Sequence, residues 1–191
     1  MLGVGNNIMM EQRNMRGRTK LNQALIVLDC LLLLATLAFI WSNSMQSVET
    51  SQDQSRTILN VIKPLLETIV GRDNVTDHLV RKLAHFIEFS ALGIGSAMFL
   101  VLCKRVRLQP IMNCLFAGLV VAIIDETVQI VSGRGSQVQD VLLDFAGVIF
   151  GLIATILIYL IIAHRKRDYN QTKQWREWNH CVPLLTFGIK P

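Results

Sequence analysis

The chain has 191 residues, of which 51% are hydrophobic and only 17% are charged, and its formal net charge is +5. This composition is too apolar for an ordinary soluble domain of that length, so a lipid bilayer is the expected solvent. The basic excess borders the apolar segments and indicates contact with anionic membrane lipids, and no nucleic acid is expected as a partner.

Four apolar segments are long enough to cross a hydrocarbon core of about 30 Å, which requires around 20 helical residues. They comprise residues 24–41, 83–102, 111–131 and 141–163. Their apolar runs are continuous, whereas the strands of a membrane β-barrel would alternate polar and apolar residues. We therefore predict an all-α integral membrane protein with four transmembrane helices.

Basic residues cluster in three of the flanks of these segments. The clusters are Arg13, Arg16, Arg18 and Lys20; Lys104, Arg105 and Arg107; and Arg165, Lys166 and Arg167. Because short cytoplasmic flanks carry an excess of Lys and Arg, this pattern predicts that both termini are cytoplasmic. The chain then divides into a basic N-terminus (1–23), a membrane domain (24–163) and a basic tail (164–191).

The first outer loop, residues 42–81, is the largest polar segment outside the termini. The segment before it ends in Trp41 without the small residues of a signal-peptide cleavage site, which predicts an uncleaved anchor helix. The second half of the loop has apolar residues at helical spacing, namely Ile58, Ile62, Leu65, Leu66, Ile69 and Val70. This spacing predicts a short amphipathic element on the outer membrane surface or over the bundle.

Polar residues recur at or near the predicted outer ends of the last three segments. They are Lys82, His85, Glu88, Asp125, Glu126, Gln129, Arg134, Asp140 and Asp144. A charge at membrane depth costs about 2.5–3.5 kcal/mol on insertion scales, so such residues indicate a functional site. Most are spaced three or four residues apart, which predicts one polar stripe on each helix and convergence of the three stripes.

Glycines accompany these polar residues. Gly147 and Gly151 follow Asp144 on one predicted helix face, and Gly93 lies on the second segment. Small residues let helix backbones approach closely, so these three are predicted to mediate helix packing beside the polar site. Glycines on either side of Arg134 predict a tight loop that directs its guanidinium towards the carboxylates.

Three runs of sequence resemble the signature blocks of the VanZ-like membrane proteins. The runs are RKLAHFIEFSALG (81–93), DETVQIVSGRG (125–135) and DVLLDFAGVIFG (140–151), and they contain all nine polar residues and the three packing glycines. Ser42 and Ser44 also resemble a serine-bearing loop of that family. The chain departs from the pattern at Phe89, where a tyrosine is frequent, and at Ser132, where a proline is common.

The resemblance implies a multi-pass protein of the bacterial cytoplasmic membrane with a role in resistance to teicoplanin-type lipoglycopeptides or in protection of the cell envelope. The implied partners are membrane lipids and either a lipoglycopeptide or an envelope lipid head group. No cofactor is indicated. An alternative is an intramembrane hydrolase or transferase that acts on an envelope lipid or its phosphate head group.

The polar residues themselves leave several chemistries open. Five carboxylates face two permanent cations and one histidine, so a purely ion-paired network carries surplus negative charge, which is costly at low dielectric. A proton retained by Glu88 or Glu126, a bound cation or the amine of a ligand would each offset that charge. Oxygen donors with one imidazole suit Mg²⁺, Mn²⁺ or Zn²⁺, but the spacing has no diagnostic signature and no metal ligand is predicted.

A catalytic interpretation assigns the reaction to the acids and the histidine. His85 would act as general base with Glu88 or Asp125 orienting it, and Glu126 completes the candidate catalytic group. The other polar positions are candidate ligand-binding residues: Lys82, Gln129, Arg134, Asp140 and Asp144. In the structural interpretation, the same acids pair with the basic groups and lock the helices together. Whether the protein is an enzyme stays open at this point.

Overall fold

The computed structural model describes residues 2–46, 76–131 and 137–186. These ranges contain four α-helices: α1 (Leu2–Ser44), α2 (Asp77–Leu102), α3 (Leu108–Val131) and α4 (Val138–Thr186). Each contains a stretch long and apolar enough to cross a membrane. The prediction of an all-α fold with four transmembrane helices is confirmed. The predicted amphipathic element in the outer loop lies outside the described residues.

Two helices are longer than the predicted membrane segments. α1 begins at Leu2, within the basic N-terminus, and α4 continues beyond residue 163 to Thr186. No glycine or proline interrupts α4 between Gly151 and Pro183, and its many Lys, Arg, Gln and Glu residues favour helix. The chain forms two compact units, Met1–Thr155 and Ile156–Pro191, and the first holds the helix bundle.

A short turn joins α2 to α3 at the end of the bundle that carries the basic residues 104–107. Lys104 has a φ of 55°, and the backbone N–H of Arg105 donates to the Leu100 carbonyl at 2.8 Å. These are features of a Schellman turn, which reverses the chain after a helix. The Asn22 side chain donates to the Leu102 carbonyl at 3.3 Å and ties α1 to the same end.

The apolar core receives at least one side chain from each helix. Its buried members are Ile40, Phe89, Leu92, Ala122 and Val148. Large apolar side chains cover the outer faces of the same helices, where a water-soluble protein would not expose so many. Such faces are suited to lipid, and the chain is a multi-pass membrane protein.

Helices α2 and α4 run parallel and pack backbone against backbone. A Cβ atom added to Gly147 would lie 2.6 Å from the Phe86 carbonyl oxygen, and one added to Gly151 would collide with the Ser90 carbonyl. Gly93 makes the reciprocal approach to the backbone of Val148. The predicted packing glycines therefore lie at one seam, where no side chain would fit.

We expect Gly151→Ala to destabilise the bundle by about 1–3 kcal/mol, because the new methyl group meets rigid backbone rather than a movable side chain. Gly17 is the matched control, since a Cβ there meets nothing within 4 Å. Gly17→Ala should leave the free energy of unfolding unchanged or raise it, because alanine favours helix. Titration of both variants with a denaturing detergent measures the difference, and equal stability would contradict the backbone seam.

Candidate functional site

Asp125 is the centre of the polar site. Its side chain is fully buried on α3. The Ser44 hydroxyl, at the end of α1, donates to Asp125 Oδ1 at 2.6 Å, and the Gln129 amide donates to Oδ2 at 2.9 Å. Hydrogen bonds to an ionised acceptor are strong at low dielectric, so both donors hold the carboxylate in a defined orientation.

His85 on α2 faces two carboxylates. Its Nδ1 atom lies 3.8 Å from Asp125 Oδ2 and 3.8 Å from Asp144 Oδ1. Both distances exceed the hydrogen-bond range of about 2.7–3.2 Å but allow electrostatic attraction between the imidazole and the two carboxylates. Asp144 comes from α4 and is only 1% exposed. We call these three residues the His85 triad.

Glu88 lies one helical turn beyond His85 and is held by α1. The Asn43 amide donates to Glu88 Oε1 at 2.8 Å. Glu126 is buried beside Asp125 on α3. The Asp144 carboxyl group lies within electrostatic range of Glu88, Asp125 and Glu126, so several acidic side chains crowd this part of the bundle.

Lys82 and Asp140 form an ion pair at the edge of the site. Lys82 Nζ lies 2.8 Å from Asp140 Oδ1, and both side chains are partly exposed. The pair joins the starts of α2 and α4. Since Lys82 is engaged with Asp140, its charge is directed to the edge rather than to the buried acids.

The described helices thus bring the predicted site residues to one end of the bundle, opposite the basic α2–α3 turn. Arg134 lies outside the described residues. Sequence reasoning missed Asn43 and considered Ser44 only through the family resemblance. The available signal was the polar pair at the end of an apolar segment, but such residues are common wherever a span meets water.

Ser44→Ala should destabilise the protein by about 1–3 kcal/mol, because it leaves a buried Asp125 oxygen without its donor. Ser42 is exposed two residues earlier on the same helix, and Ser42→Ala should change the free energy of unfolding by less than about 0.5 kcal/mol. Chemical unfolding in detergent micelles compares the two. Equal losses would mean that the Ser44–Asp125 hydrogen bond contributes nothing specific.

Comparison with known protein families identifies the family of this chain. The sequence profile of the VanZ/LLP1 family matches residues 30–163, which is more than half of the chain and includes every residue of the site. No curated protein and no solved structure matches the chain. The match extends beyond the three signature blocks to the end of α1 that carries Asn43 and Ser44. The chain belongs to the VanZ/LLP1 family.

Proposed function

We propose that this protein protects a bacterial cell envelope against teicoplanin-type lipoglycopeptides or similar amphiphiles, and that the buried polar site performs this role. The observation that supports the proposal is the burial of Asp125 within apolar spans, where donors from α1 and α3 hold it. Ionisable groups in such spans usually belong to a ligand or ion path. The connection with lipoglycopeptides is the role that the resemblance to VanZ-like proteins implies.

The balance of charges favours a ligand-binding or catalytic site over an ion-pair network that only holds the helices together. Glu88, Asp125, Glu126 and Asp144 are all buried or partly buried, and among the described residues His85 is the basic side chain facing Asp125 and Asp144. A buried ion-pair network is stabilising only when its charges are matched and hydrogen-bonded. The two buried carboxylates of Asp125 and Asp144, which face one imidazole, therefore favour a cationic occupant.

The position of the site suits envelope chemistry. The basic clusters predict that the α2–α3 turn is cytoplasmic, so the opposite end of the bundle faces outwards. Lys82 and Asp140 are partly exposed at this end, where polar head groups of outer-leaflet lipids or of lipoglycopeptides would meet them. The protein would either bind such a molecule or change the surface component that the antibiotic needs.

The test is teicoplanin susceptibility of a sensitive Gram-positive host that expresses the wild type, Asp125→Asn or Asp29→Asn. We expect the wild type to raise the minimum inhibitory concentration and Asp125→Asn to return it to that of the empty vector, because the variant keeps the shape but removes the charge. Asp29 is a matched control, since it is a buried acid of α1 outside the site.

Membrane abundance of the three proteins is measured in parallel. Protection by the wild type and by Asp29→Asn, together with loss of protection in Asp125→Asn, supports the proposal. If the wild type gives no protection at normal abundance, or if Asp125→Asn protects equally, the proposed role of this site is wrong.

One observation favours an alternative, an intramembrane enzyme that acts on an envelope lipid or its phosphate head group. His85 Nδ1 faces Asp125 and Asp144 at equal distances, which suits a base oriented by carboxylates. Lipid extracts of expressing cells should then contain a product that disappears with His85→Gln. His164→Gln is the control, because His164 is exposed on α4 outside the site. Identical lipid profiles for the wild type and His85→Gln would exclude this reaction.

A charge exchange separates a structural pair from a binding pair. Lys82→Asp and Asp140→Lys should each weaken protection, because each leaves like charges facing one another across a 2.8 Å contact. If the pair serves only to join α2 and α4, the double variant restores protection through the reversed ion pair. If the double variant stays inactive at normal abundance, the positions of the positive and negative charges matter, which indicates that a ligand contacts Lys82 or Asp140 directly.

A further inference from the structure

We propose that the His85 triad binds one divalent transition-metal ion. The proposal rests on the proposed function in taking this cluster as the functional site, and it names a cation that would offset the negative charges of Asp125 and Asp144. His85, Asp125 and Asp144 each offer one donor atom, and these atoms all lie within 4.8 Å of one another. They come from three different helices, so the sequence spacing has no metal-binding signature.

The distances suit a small ion after slight contraction. Zn²⁺ binds imidazole nitrogen and carboxylate oxygen at about 2.0–2.2 Å, so two donors on a tetrahedral ion lie about 3.4 Å apart. The observed distances from His85 Nδ1 to the two carboxylates are 3.8 Å. Side-chain rotations of a few tenths of an ångström bring the donors onto the ion, and a water or head-group oxygen completes its coordination.

A second observation points to a ligand independently of this clustering. Asp144 is only 1% exposed, and its Oδ2 atom is buried without a hydrogen-bond partner. A buried carboxylate oxygen without a partner is costly, and such groups are rare in folded proteins. The side chain points into the triad, since its Oδ1 lies 3.8 Å from the imidazole. A bound cation would give this oxygen the partner that it lacks.

The surroundings of Asp125 resemble the outer layer of a metal site. Ser44 and Gln129 each donate to one of its oxygens, which fixes the plane of the carboxylate. Each oxygen retains a further lone pair for an ion. Outer hydrogen bonds of this kind orient metal ligands and tune their affinity.

Charge and donor type select the class of ion. A neutral imidazole and two carboxylates carry two negative charges, which a divalent cation balances. Imidazole nitrogen favours Zn²⁺ and its first-row neighbours over Mg²⁺ and Ca²⁺, which prefer oxygen donors alone. The triad therefore points to a transition-metal ion, and Zn²⁺ is the appropriate probe.

The test measures metal in the full-length protein, purified in detergent with a tag that contains no histidine and with its thiols blocked. The protein is stripped with a chelator, incubated with Zn²⁺ and passed through a desalting column, and bound zinc is measured by mass spectrometry. We expect about one equivalent in the wild type, because the described residues contain one such donor cluster, and little in Asp144→Asn or His85→Gln, which each lose a ligand.

Two controls remove other acidic and imidazole groups. Asp29→Asn alters a buried acid outside the triad, and His164→Gln removes an exposed histidine that faces Asp168. Both should retain zinc as the wild type does. Circular dichroism and gel filtration identify any variant that fails to fold. If either Asp144→Asn or His85→Gln does not fold, zinc retention by the other is compared with that of the wild type.

Absence of retained zinc in the wild type would overturn the inference, and so would equal retention by folded Asp144→Asn and His85→Gln. The result is separate from the antibiotic assay. Zinc bound through the triad without teicoplanin protection would support the metal site and reject the proposed function. Protection without zinc binding would reject the metal site and leave the proposed function in place.

Discussion

The buried carboxylate of Asp125 imposes the main constraint on this bundle. Hydrocarbon offers no hydrogen bonds, so every polar group at that depth must be satisfied by the protein or by something it binds. Gln129, one turn along α3, and Ser44 from α1 meet this requirement for Asp125, and the Ser44 hydroxyl lies within hydrogen-bond distance only when the ends of α1 and α3 meet. The relative positions of α1 and α3 therefore depend on satisfying one acid.

The second determinant is the glycine seam between α2 and α4. Because no side chain separates the two backbones at Gly93, Gly147 and Gly151, the residues one or two turns away also come close together. His85 and Asp144 meet for this reason, and Lys82 and Asp140 meet at the next position outwards. The polar chemistry of the site and the packing of apolar helices are thus consequences of the same close approach.

The sequence predicted the helices well because a span of continuous apolar residues has few alternatives in a bilayer. Helical spacing also predicted that His85 and Glu88 share a stripe. It did not predict that Glu88 pairs with Asn43, because the spacing of polar residues along α2 does not show how α1 is rotated about its own axis. The choice of Asp140 over the other acids as partner of Lys82 was equally inaccessible, since it depends on the axial register of α2 against α4, which the glycine contacts set.

The parallel pairing of α2 and α4 also has a consequence for assembly during synthesis. Membrane helices generally insert first and associate afterwards. His85 and Asp125 enter the bilayer on α2 and α3. Asp144 enters only with α4, after the hairpin of α2 and α3 has been inserted. His85 and Asp125 are therefore in the membrane before Asp144 is inserted. A chain that ends before α4 would leave these polar side chains exposed to lipid.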